Sequence, residues 1–221
     1  MSVQLIEGSS SSVAGDRRRS GRTPGIAAAV YIGAWAIGLV AFASAPALDA
    51  PVAAVAEFYE THGVSSVLQA ALVHLVAGLA LLVVVSAMRN CGGTRVAVRA
   101  GLVAVGLSLT QFGLEVLRGL GAGAFGPETI DGLFDAVNRL DGAKMLALAV
   151  LVGASVAPLG SAGLFGRPTA ALGRATTIAL VASGVGYLLL DPALGSAAYL
   201  SLPLLLAWVG FTARALERAG R

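Results

Sequence analysis

Six apolar runs, each near the length that crosses a bilayer, dominate this chain; they lie at 25–45, 65–88, 96–120, 144–165, 175–190 and 194–212. A helix rises 1.5 Å per residue, so about 20 residues span ~30 Å of hydrocarbon. The fifth run is the shortest, and Asp191-Pro192 closes it with a sharp turn. Of the 221 residues, 57% are hydrophobic and 12% charged, against about 25% charged in soluble domains. A water-soluble fold of this length has no interior large enough for that much apolar surface. The expected fold class is therefore all-α, a polytopic membrane helix bundle with six transmembrane helices.

Charge then orients the runs. Arg89, Arg95 and Arg99 bracket the second connection, Arg167 and Arg174 lie in the fourth, and Arg214, Arg218 and Arg221 lie in the tail. The first connection carries Asp49, Glu57 and Glu60 with no Lys or Arg, and the fifth has only Asp191. The third carries Glu128, Asp131, Asp135 and Asp141 against Arg139 and Lys144. The positive-inside rule places both termini in the cytoplasm and the three acidic connections outside. The expected location is the bacterial cytoplasmic membrane: Lys144 is the only lysine, and the Ala, Gly and Val excess suggests a GC-rich genome.

Three segments result. Residues 1–23 are Ser-rich with an Arg17-Arg18-Arg19…Arg22 cluster and are expected to be a disordered basic cytoplasmic tail. Residues 24–213 form the six-helix domain, and 214–221 a short cytoplasmic tail. The first run followed by Ala43-Ser44-Ala45 also resembles a signal peptide. Its length favours an uncleaved helix; cleavage would leave five spans in the same orientation.

Two outer connections have helical periodicity. Pro51 to Tyr59 aligns Val52, Val55, Ala56 and Tyr59, with His62-Gly63 as a possible stop. Pro127 to Leu140 aligns Ile130, Leu133, Phe134, Val137 and Leu140, and Pro127 suits a first helical position. Both read as short interfacial helices on the outer side, either filler over apolar helix ends or a lid.

Glu115 lies deep in the third run, in a stripe with Ser108, Gln111 and Arg118 at spacings of three, four and three. A carboxylate at membrane depth is costly and must face protein or water. Counting from Arg99, Glu115 lies about 24 Å along the helix, within ~6 Å of the outer hydrocarbon edge. Gln69, His74, Asp141, Lys144, Tyr187 and Asp191 also fall in the outer half. The sequence thus points to an outward polar pocket centred on Glu115, lined by Gln69, His74, Gln111, Arg118, Lys144 and Tyr187, with Tyr31, Trp35 and Phe112 as aromatic walls. The plainer reading is a Glu115 ion pair with Arg118 or Lys144 that ties helices together. His74 is either a hydrogen-bonded packing residue or part of a proton relay.

Other chemistry is excluded or unsupported. His62 and His74 are the only histidines and lack metal-ligand spacing, so no metal and no haem is expected. Cys91 is alone and forms no intramolecular disulfide. No nucleotide-binding glycine motif or nucleophile elbow occurs, no cofactor is implied, and the Arg clusters orient helices rather than bind nucleic acid. Residue types alone do not set the oligomeric state.

The chain resembles a bacterial, actinobacterial-type six-helix integral membrane protein family of unknown function, the domain of unknown function 4386 type. The shared features are the Gly-Ile start of the first helix and Ala-Glu-Phe-Tyr…His at 56–62. They continue with Phe134-Asp135…Leu140-Asp141, Gly163-Leu164-Phe165, Leu172-Gly173 and Gly186-Tyr187-Leu188. The resemblance implies the six-helix fold and no mechanism.

Three functions stay open. One is a small-molecule or lipophile binding, transport-accessory or sensing protein whose partners are the bilayer and a lipophilic small molecule. The second is an intramembrane enzyme such as a terpene cyclase, with Glu115 as proton donor and Asp141 or Asp191 as further acids. The third is a structural partner subunit. An enclosed cavity of several hundred Å³ touching Glu115 would favour a lipophilic substrate or ligand; a tight pair without one would favour structure.

Overall fold

The computed structural model describes residues 10–220, with side chains described over 23–220. The tail expected over 1–23 therefore falls outside the described side chains, apart from Thr23. The described chain is all-helical: α1 (Ser10–Val40), α2 (Val52–Ala70), a π-turn (Ala71–Val76), α3 (Ala77–Asn90), α4 (Arg95–Gly121), α5 (Pro127–Ser161), α6 (Arg167–Leu189), α7 (Pro192–Gly195) and α8 (Ala198–Ala219). Six stretches are long and apolar enough to cross a membrane: Thr23–Val40, Val52–Asn90, Arg95–Gly121, Pro127–Ser161, Arg167–Leu189 and Pro192–Ala219.

Local chemistry sets the helix ends. Thr94 caps α4 by accepting a hydrogen bond from the Ala97 amide at 3.1 Å. Pro127 and Pro192 sit in the first turns of α5 and α7, where a missing N–H costs nothing. At the end of α6 Leu190 turns left-handed (φ 55°), and the Asp191 amide donates back to the Gly186 carbonyl at 2.8 Å. That closure is the expected turn at Asp191-Pro192.

The two short interfacial helices expected from the sequence do not exist as separate elements. The 52–59 stretch is the first part of a 39-residue helix to Asn90, and the 127–140 stretch opens the 35-residue α5. The stop signal at His62-Gly63 misled because Gly63 serves helix contact instead, as Gly142 does in α5. A methyl on Gly63 would lie 2.2 Å from the Gly119 carbonyl oxygen, and one on Gly142 would lie 2.6 Å from that of Gly184. Gly63 and Gly142 let α2 meet α4 and α5 meet α6 at backbone distance. With helices of about 58 and 52 Å, both elements overreach ~30 Å of hydrocarbon.

The bundle is layered along its axis. At the arginine-rich end, Leu81, Val84, Val85, Met88, Leu151, Val152 and Trp208 form the main apolar core. At the acid-rich end, Val55, Tyr59, Ala122, Ile130 and Phe134 form a second, smaller one. Each of the three central helices places polar residues between these cores. In α4, Ser108 to Arg118 falls between Val105 and Ala122; in α5, Asp141 and Lys144 fall between Phe134 and Leu148; His74 falls between Tyr59 and Ala77.

Candidate functional site

The polar layer holds two ion pairs, one of them part of a hydrogen-bonded network. Arg118 donates to Glu115 Oε2 at 2.5 Å, and Lys144 pairs with Asp141 Oδ1 at 2.5 Å. Gln111 Nε2 bridges the helices, donating to Asp141 Oδ1 at 3.1 Å and to the Val137 carbonyl at 3.2 Å. Lys144 Nζ also lies 3.3 Å from His74 Nδ1; an ammonium only donates, so that nitrogen accepts and the imidazole is neutral. The network therefore runs His74, Lys144, Asp141, Gln111 across three elements. The Glu115–Arg118 pair stands apart from it on α4, so the layer as a whole sets two carboxylates against two cations.

Aromatic rings complete the solvation of the cations. The Arg118 guanidinium lies 3.9 Å from the centroid of the Tyr59 ring and 5.4 Å from that of Phe134. Its Nε and Nη1 are buried without a hydrogen-bond partner among the described residues, so ring faces substitute for acceptors there. Lys144 Nζ lies 5.8 Å from the centroid of Trp35. Breaking one partner of such a pair strands a charge at a cost of about 3–5 kcal/mol, although the intact pair itself contributes little.

His74 occupies the π-turn, the one departure from α geometry in the long helix from Val52 to Asn90. Such a turn inserts one residue into the helical register and is frequent at functional sites. No sequence signal marks it, since Ala71–Val76 contains no Gly or Pro.

The expected stripe is borne out in its orientation: Ser108, Gln111, Glu115 and Arg118 are all buried. The other candidates divide. Tyr31 is buried and, with Trp35, lines a cavity that Lys144 and Ser108 also reach. Gln69 is half-buried and donates to the Gly38 carbonyl at 2.9 Å, tying α2 to α1. Phe112 and Tyr187 are half-buried. Asp191 stands apart as the N-cap of α7, accepting from the Ala193 and Leu194 amides at 2.8 and 3.2 Å. The polar stripe of α6 faces α8, where Ser183 donates to Ser201 at 3.0 Å. Tyr199 in α8 is 89% exposed.

Two spaces bear on ligands. The cavity beside Tyr31, Trp35, Ser108 and Lys144 measures ≈ 10 Å³, room for about one water. A larger opening of ≈ 430 Å³ lies between α2 and α4 at the acid-rich end. Tyr59, Glu60, Thr61, Ser65, Leu68 and Gly119 are among its walls, and Glu115 is not. The roomy site thus lies beside Tyr59 and does not reach Glu115. No local pattern marks it, because the Gly63–Gly119 approach among its walls joins residues remote in the chain.

Comparison with protein families, with curated proteins and with solved structures finds no match to this chain.

Proposed function

We propose that this chain is a multi-pass protein of a bacterial cytoplasmic membrane, with both termini in the cytoplasm, that binds a small amphipathic molecule at its outward end. The observation that carries the reading is the ≈ 430 Å³ opening between α2 and α4, within the 300–1,000 Å³ typical of ligand sites. Its walls grade from Glu60 and Thr61 to Val64 and Leu68, polar to apolar, along α2. The neutral network behind it holds α4, α5 and the π-turn in place, which keeps the opening formed. Its charges are already paired, so in this reading Glu115, Asp141 and Lys144 position helices rather than react. The ≈ 10 Å³ enclosed cavity does not favour a terpene cyclase, whose substrate needs several hundred Å³.

The test is to extract the protein in mild detergent and weigh it intact by native mass spectrometry. A retained small amphiphile is expected on the native chain and is expected to be lost from Ser65→Trp, which fills the opening. An equal adduct on both proteins, or none on either, overturns the reading.

A further inference from the structure

We infer that the α2–α4 opening selects a primary ammonium carried on an apolar stem, and that Glu60 is the residue that reads it. This rests on the binding function proposed above and names its ligand chemistry. Besides the Tyr59 hydroxyl, which can donate or accept, the polar side chains of the opening offer acceptors. Thr61 spends its hydroxyl hydrogen on the Glu57 carbonyl, and Ser65 spends its own on the His62 carbonyl at 2.8 Å. Their oxygens keep lone pairs that face no competing donor within the helix. Glu60 adds a carboxylate, and it is the only charged side chain in the lining. Three acceptor sites around one negative charge match an ammonium, which has three donors and no acceptor. A head with net negative charge and no ammonium is repelled by Glu60.

Arg118, stacked on the Tyr59 ring, is already paired with Glu115. The apolar stem has its own path. Counted from Arg99, Gly119 lies about 30 Å along α4, at the far edge of the hydrocarbon. Leu68, on the facing helix, is 54% exposed at that level. A chain leaving the opening there enters the acyl layer directly.

The experiment places the full-length protein in nanodiscs containing phosphatidylcholine with either phosphatidylethanolamine or phosphatidylglycerol, and reads retained lipid by native mass spectrometry. A separate arm adds dodecylamine to the protein in phosphatidylcholine alone. Phosphatidylethanolamine is expected to be retained at least tenfold over phosphatidylcholine and phosphatidylglycerol, with that preference lost in Glu60→Gln. Displacement by dodecylamine assigns the recognition to the ammonium rather than to the phosphoester. Retention of all three lipids alike, abolished by Ser65→Trp but indifferent to Glu60→Gln, overturns the ammonium inference and leaves the binding function standing. No retained lipid and no effect of dodecylamine on the native chain overturns both. Glu60 is exposed and bonds to nothing else that the substitution would disturb, so Glu60→Gln tests recognition rather than folding.

Discussion

Arg118 shows how one side chain can be affordable at membrane depth. It is 2% exposed, has one carboxylate partner in its own helix, and otherwise meets ring faces from α2 and α5. Arg118→Ala leaves Glu115 buried without its cation, which costs about 3–5 kcal/mol. Arg139, by contrast, is a surface residue whose guanidinium donates to the Leu188 carbonyl at 3.1 Å; Arg139→Ala is expected to cost under ~1 kcal/mol. Thermal unfolding in detergent distinguishes them, and equal losses would contradict the role given to the buried pair. The stripe holding Arg118 was legible from spacing, because three- and four-residue steps put side chains on one helical face. Which partners it meets was not. Glu115 pairs within its own helix, while the ties between helices come from the rings and from Gln111 and Lys144, the last two through residues 26 to 70 positions apart.

At the scale of elements, the number of helices was readable and their ends were not. Apolar length forces a span, but Gly and Pro carry two meanings in a membrane bundle: stop, or close approach. Gly63 is of the second kind, so Gly63→Ala must push α2 from α4 and is expected to destabilise by about 1–3 kcal/mol. Gly106 also lies in a helix, but a methyl there meets nothing within 4 Å. Gly106→Ala is expected to be neutral or mildly stabilising, since Gly costs up to about 1 kcal/mol relative to Ala in a helix. Unfolding midpoints of the two variants check the contrast; a Gly63→Ala protein as stable as Gly106→Ala would mean that the helices do not touch there. The π-turn at His74 was hidden for a related reason: a register change arises from the packing of a helix, not from its composition.

For the whole molecule, the orientation proposed above has a direct test in the single thiol. Cys91 lies in the turn between α3 and α4, at the arginine-rich end. In intact bacteria a membrane-impermeant maleimide is expected to leave Cys91 unmodified and to label Glu128→Cys in a Cys91→Ser background. The reverse pattern would invert the bundle and move the α2–α4 opening to the cytoplasm. Bundle architecture follows from hydropathy because burying backbone polar groups leaves a bilayer-crossing chain few alternatives to helix. The layering of apolar, polar and apolar along the axis depends on which helices adjoin, and no single run encodes it.

Lys144 is the only lysine in the sequence, and it is 4% exposed, held between Asp141 and His74. The molecule therefore offers acylating reagents no accessible ε-amino group while its helices stay together. Modification of that nitrogen, read by peptide mapping apart from any α-amine, becomes a clock for the bundle coming apart.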